Sequence, residues 1–273
     1  GGELIPSTST VTFDGTAGTE DVITDGTGGF YNLTVNDSGA GSGLTLEVED
    51  PLTVYNNLTI TGGTLDVKTE NNQVNVGGNW DNDDIFLPRS GTVVMDGSGA
   101  ATYTIDSDGS TTDDYFHNLT LNDAGGGATY QLLNLLDVNN DVTITGGTVD
   151  SNGFDIYVGG SWTNDDTFLE GTNTVTFDSG GDVNLDSGCA DETACTNENF
   201  YNLTINKDED AKVSLSTTHL RVTNLINVVT GWLIQGALNI QTEGTTAIDI
   251  DDFGRWQNLS TGNITLGGDV IND

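Results

Sequence analysis

Thr59-Ile60-Thr61-Gly62-Gly63-Thr64-Leu65-Asp66 returns further along the chain as Thr143-Ile144-Thr145-Gly146-Gly147-Thr148-Val149-Asp150. Each copy is an apolar–polar alternation, a Gly-Gly break and a second alternation, the pattern of two short strands meeting at a corner. Three more blocks recur around it in fixed order. Val76-Gly77-Gly78-Asn79-Trp80-Asp81-Asn82-Asp83 returns as Val158-Gly159-Gly160-Ser161-Trp162-Thr163-Asn164-Asp165 and, weakened, as Leu266-Gly267-Gly268-Asp269-Val270-Ile271-Asn272-Asp273. A TVxxD block stands at Thr10–Asp14, Thr92–Asp96 and Thr174–Asp178, so that Val11, Val93 and Val175 are evenly spaced. An aromatic block ends in Asn-Leu-Thr at Asn32, Asn118 and Asn202.

Within one repeat the apolar bursts lie roughly 15 to 28 residues apart, too close for propeller blades of about 40 to 50 residues and suited to the coils of a solenoid. Thr, Asn, Asp and Gly fill the chain while the good helix formers are scarce, so the reading is all-β. We expect one right-handed parallel β-helix over residues 1–273, in three imperfect repeats of about 82 residues or more (about 11–92, 93–174 and 175–273) and about 13 coils. Leu33, Leu58, Leu119, Ile144, Val175 and Leu203 should face inward, Gly-Gly pairs should supply positive φ at corners, and Asn and Thr should form ladders between coils.

The chain carries 42 acidic against 6 basic residues, a formal net charge of −36, which repels nucleic acid. No apolar run reaches the length of about 18 residues that a transmembrane helix needs, so no membrane insertion is expected, and Gly1-Gly2-Glu3 reads as a processed or excised start.

Segments such as Tyr201-Asn202-Leu203-Thr204-Ile205, Ile60–Asp66 and Val76–Trp80, separated by Gly/Thr-rich turns, resemble the extracellular parallel β-helix repeats of bacterial and archaeal surface proteins, adhesin-like or filament-forming. The resemblance covers nearly the whole chain. It implies a secreted or cell-surface location and no particular catalytic residue, because the same solenoid serves adhesins, filament subunits and polysaccharide-degrading enzymes.

Candidate chemistry is thin. A lyase would need a basic group beside a calcium-binding carboxylate cluster, and only Lys68, Arg89, Lys207, Lys212, Arg221 and Arg255 are available. Paired aspartates, Asp83-Asp84 and Asp165-Asp166, suggest a hydrolase, but they recur at equivalent repeat positions, as turn residues do. The chain reads as a non-enzyme that requires no cofactor. Calcium is the ligand the oxygen donors would suit, at Asp81, Asp83, Asp84, Asp165 and Asp166. Cys189 and Cys195, close together in the chain, should form a disulfide pinning a loop that projects from the coil.

Seven Asn-x-Ser/Thr sequons occur, about the number random placement gives. Asn36, Asn258 and Asn263 are the glycosylation candidates, while Asn32, Asn118 and Asn202 belong to the repeated block and suit ladders. Trp80 and Trp162 could stack on sugars, but their repeated placement beside Gly-Gly favours packing.

Two roles remain. The stretch from Gly77 to Val93 equals in length the stretch from Gly159 to Val175, and joining Asp273 to a second copy's Gly1 would separate Gly267 from Val11 by almost the same stretch. This phase suggests a filament subunit that polymerises head-to-tail through Leu4, Ile5, Pro6, Val11 and Phe13 at one end and Leu266, Val270 and Ile271 at the other, with segment 1–10 reaching onto the neighbour. The alternative is a surface adhesin or carbohydrate-binding segment of a longer protein, with surface glycans as partners.

Overall fold

A computed structural model describes residues 6–24, 28–37, 43–108, 115–123, 125–258 and 260–272. Among these residues there is no helix; short strands pair in parallel with the strand one turn later, making a right-handed β-solenoid of about 11 turns. The chain divides into two compact units, Gly1–Asp137 and Val138–Asp273.

In the first unit, Thr10–Phe13, Asn32–Val35, Leu58–Ile60, Trp80–Asn82, Thr102–Asp106 and Thr129–Leu132 form one column of strands. Its inner positions align Leu33, Leu58, Trp80, Ile105 and Leu132, each at most 1% exposed. Gly18–Val22, Leu44–Val48, Thr64–Asp66 and Ile85–Leu87 form a second column, and Leu52–Val54, Val74–Val76, Thr92–Met95 and Asn118–Leu121 a third. The buried–half-buried–buried pattern of these strands follows their period-2 alternation: the apolar member points into the coil and Thr or Asn points out.

The second unit repeats the scheme. Ile156, Val175, Leu203, Ile226 and Ile248 stack inside it, none more than 3% exposed. Its longest strand, Leu220–Ile234, bends around the coil, pairing in different stretches with Ile240–Thr242 and Thr246–Gln257 after it and with Phe200–Asn206 and Lys212–Leu215 before it.

All six residues expected to face inward are fully buried. The coil count is lower than the 13 expected because turns are unequal in length. A short turn carries Val74 to its partner Val93, whereas a long one, holding the cysteine loop, carries Val175 to Leu203.

The Gly-Gly pairs have two roles rather than one. Gly63 and Gly147 do take positive φ, of 86° and 88°. Gly77 and Gly159 do not; a Cβ on them would lie 2.5 Å from the Tyr55 carbonyl oxygen and 2.2 Å from that of Asn139. There glycine lets one turn settle on the turn below.

Polar ladders run beside these turns. The Asn57 Oδ1 accepts the Asn79 N–H at 3.0 Å, and the Asn79 Oδ1 accepts the Thr104 N–H at 2.9 Å. In the second unit the Asp141 Oδ1 accepts the Ser161 N–H at 2.8 Å and the Ser161 Oγ accepts the Asn184 N–H at 3.1 Å. Each ladder satisfies a backbone donor that the turn would otherwise leave unpaired.

Candidate functional site

The buried stacks end abruptly. In the second unit Val270 is the next member after Ile248 and is 52% exposed; Ile264 follows Ile240 at 41%, and Leu266 follows Thr242 at 39%. These residues hold the same inward positions as their buried predecessors, and no later strand covers them among the described residues. Ile271, 37% exposed, points to the other side of its strand. Among the described residues, the strands Ile264–Leu266 and Asp269–Asn272 pair on one side only and thus offer both an apolar strip and an open backbone edge.

The first unit has a matching face. Val11 and Phe13 stack on the fully buried Leu33 and Val35 yet are themselves only half-buried. Phe13 meets the Phe30 ring edge-on at 6.3 Å. Pro6 is half-buried; Leu4 and Ile5 lie outside the described residues.

Two of the aspartates considered for calcium bind turn amides. The Asp84 Oδ2 accepts the Gly63 N–H at 2.6 Å, and the Asp166 Oδ2 accepts the Gly147 N–H at 3.0 Å, the equivalent bond. Asp81 is half-buried, and burial, with Asp83 and Asp106 nearby, raises its carboxyl above the usual range. Asp83 and Asp165 are exposed and donate their backbone N–H groups to the Ile60 and Ile144 carbonyls.

Among the described residues, the three carboxylates that converge are Asp21, Glu47 and Glu49, with ligand atoms within 4.8 Å of one another. No sequence motif announces them, because Asp21 belongs to one strand and the two glutamates belong to the next turn of the coil. The Lys68 ammonium already bridges Glu47, at 3.0 Å, and Glu49, and both hydrogen bonds hold it protonated.

Every basic side chain is engaged. Arg89 forms a two-pronged pair with buried Asp66, which holds the Asp66 carboxyl below its ordinary range. Arg221 pairs with Glu243 and the Cys195 carbonyl, and Lys212 with Asp182. Arg255 lies 5.3 Å over the Trp232 ring, with Glu209 at 3.9 Å.

Lys207 is buried, donating to the Gly159 carbonyl at 3.2 Å and the Ser179 hydroxyl at 3.3 Å, and burial lowers its pKa. It takes the block position held by Asp37 and Asp123, whose carboxylates accept the Leu44 and Ala128 amides.

No protein-family model, curated protein or solved structure matches this chain.

Cys189 and Cys195 are disulfide-bonded, with Cα atoms 5.7 Å apart. Ala190, Asp191, Thr193 and Ala194 between them are exposed, as expected of a loop standing off the coil, but the cysteines that anchor it belong to the buried side. Cys189 is fully buried and Cys195 only 5% exposed. The His219 N–H donates to the Cys189 carbonyl at 2.8 Å, and the Asn239 amide to Glu192 at 2.9 Å, so the loop lies against later turns. The bond is consistent with an oxidising, extracellular setting.

Trp80 and Trp162 are both 1% exposed and form aromatic clusters with Phe86 and Phe116, and with Phe168 and Phe200. They are core residues. Asn32, Asn118 and Asn202 donate side-chain amide hydrogens to Thr10, Thr92 and Thr174 on the preceding turns, a ladder role. Asn258 and Asn263 are exposed, and Asn36 is half-buried with its Oδ1 accepting from the Thr61 hydroxyl.

Proposed function

We propose that this chain is a structural subunit of an extracellular or cell-surface filament, in which copies stack head-to-tail and the solenoid continues from one to the next. The observation that carries this reading is the inward stack from Ile156 to Ile248, buried throughout, whose next member Val270 is 52% exposed. Residues in core positions without a cover call for another coil, and a second copy supplies one through Val11 and Phe13.

Magnitudes support a reversible contact. Fully burying a Val, Leu or Ile stabilises by about 1.5–3 kcal/mol, so completing the burial of the inward-facing Ile264, Leu266 and Val270 contributes roughly 3 kcal/mol in total. Strand-edge hydrogen bonds add about 1 kcal/mol each, against several kcal/mol for lost translational and rotational freedom. Association should therefore depend on concentration. The contact does not close on itself, so growth continues past the dimer.

This reading assigns no catalytic residue and requires no cofactor; calcium at the outer aspartates would add bridges between carboxylates without being needed for stacking. Sedimentation velocity over a wide concentration range tests it. Species should grow steadily without stopping at a dimer. A single monomeric boundary at every concentration, or a longer natural polypeptide whose own next coil covers Ile264 and Leu266, would contradict it.

A second reading has its own observation. Phe253, 58% exposed, lies on the same strand face as Arg255, which stacks on Trp232, and Lys212 pairs with Trp232 one turn earlier. An exposed aromatic beside the Arg255–Trp232 stack would suit the ring face of a surface glycan, as in an adhesin segment. Loss of glycan binding in Phe253→Ala would support it.

A further inference from the structure

The chain contains its own template for the contact between copies. In the first unit, Val74–Val76, followed by Gly77-Gly78, pairs with the next TVxxD strand in the register Val74↔Val93, Asn75↔Val94, Val76↔Met95. The second unit does the same with Ile156–Val158, followed by Gly159-Gly160: Ile156↔Val175, Tyr157↔Thr176, Val158↔Phe177. The inward-facing members of both junctions are at most 2% exposed. Each junction is closed by one more backbone bond. The Asp96 N–H donates to the Val76 carbonyl at 2.9 Å, and the Asp178 N–H to the Val158 carbonyl at 3.2 Å.

One strand of each kind is left without its counterpart among the described residues. Ile264–Leu266, followed by Gly267-Gly268, is the third strand of the first kind; its register is with Ile240–Thr242 on one side, and no register on its other side is described. Thr10–Phe13 is the first of the TVxxD strands; it pairs with Asn32–Val35 as its two equivalents pair with Asn118–Leu121 and Phe200–Asn206, and no described strand lies on its other edge. The inward-facing residues are uncovered on both strands: Ile264 and Leu266 are exposed, and Val11 and Phe13 half-buried.

Resting on the filament reading, we propose the register of the contact. Ile264–Leu266 of one copy pairs in parallel with Thr10–Phe13 of a second copy, with Ile264 opposite Val11, Thr265 opposite Thr12 and Leu266 opposite Phe13. The Asp14 N–H of the second copy donates to the Leu266 carbonyl of the first. Thr12 and Thr265, both exposed, then face solvent side by side, as Val94 and Asn75 do in the internal junction.

This register is open to a direct test because neighbouring parallel strands lie about 4.8 Å apart, within the Cα separation a disulfide tolerates, whereas a two-residue offset widens it to about 8 Å, beyond that limit. The full-length Thr12→Cys and Thr265→Cys proteins are mixed, oxidised and run on a non-reducing gel, with Thr10→Cys plus Thr265→Cys as the offset control. The native cysteines are already bonded to each other. A covalent dimer from the Thr12 mixture and little or none from the Thr10 mixture is the expected result.

Equal or stronger crosslinking through Thr10 overturns the register and leaves stacking intact. No crosslink in either mixture, while the unoxidised proteins sediment as chains, overturns this strand pairing in favour of another face. No crosslink from proteins that stay monomeric overturns the filament reading and the register together.

Discussion

Trp162→Ala is the change that most sharply separates a packed core from a ligand-binding surface. Trp162 lies between Val142 and Leu185 in its stack, 1% exposed, with the Phe168 and Phe200 rings 5.0 and 5.5 Å away. Truncation removes the whole indole from a site walled by two rings that are themselves buried. Loss of transfer energy plus the residual cavity costs about 3–5 kcal/mol, and lost edge-to-face contacts are part of that figure.

Trp162→Phe should behave differently. It keeps most of the ring volume and removes an indole N–H that has no hydrogen-bond acceptor among the described residues. Leaving such a donor buried costs about 1–3 kcal/mol, so its removal offsets much of the lost volume and the net change should stay within about 1–2 kcal/mol. Urea unfolding followed by far-UV circular dichroism should show a clear fall in midpoint for Ala and a small shift for Phe, at unchanged slope. Equal midpoints for the two variants, or a loss below about 1 kcal/mol for Ala, would show that the cluster is not the tight core described here.

Other consequences follow from the same contacts. Arg89 lowers the folded pKa of Asp66, so the stability this pair contributes is present above the unfolded carboxyl value of about 4 and is lost as pH falls through the folded value. Asp66→Asn should cost about 1–2 kcal/mol at neutral pH and converge with the unsubstituted protein in strong acid, as read by thermal unfolding against pH. Replacing both Cys189 and Cys195 by Ala should cost about 2 kcal/mol from the short loop released, and intact protein should resist thiol alkylation until reduced. Leu266→Asp places a carboxylate in the stacking contact; keeping it neutral at pH 7 costs about 4 kcal/mol, so association measured by sedimentation should weaken by roughly a thousandfold. The unsubstituted chain, at −36, should associate more strongly as salt shortens the range of repulsion.

The coil was readable in the sequence because its cause is local. Alternation places Leu33, Leu58 and Leu203 inward whatever the neighbours are, and a block that recurs in order must stack on something like itself. Turn length was less readable, since a loop such as the one holding Cys189 and Cys195 lengthens a turn without adding a strand. The same loop was expected to stand off the coil; the residues between its cysteines are mostly exposed, while the burial of the cysteines themselves involves His219, Arg221 and Asn239 from later turns, which no local pattern reveals. Nor could spacing distinguish the glycines that need positive φ, Gly63 and Gly147, from those that need closeness, Gly77 and Gly159. Asp21, Glu47 and Glu49 meet only because two strands align, and the burial of Lys207 follows from the turn beneath it. Leu266 and Val270 were placed at an open end by the phase of the repeats; Ile264 was not, because its alternation is that of a core, and its exposure among the described residues is seen only in three dimensions.

Negative-stain electron microscopy of the concentrated full-length chain tests the central claim most directly. The account predicts unbranched single-file fibres one coil in width, which shorten on dilution and are absent for Leu266→Asp. Separate particles at every concentration, or fibres equally abundant for Leu266→Asp, would contradict it.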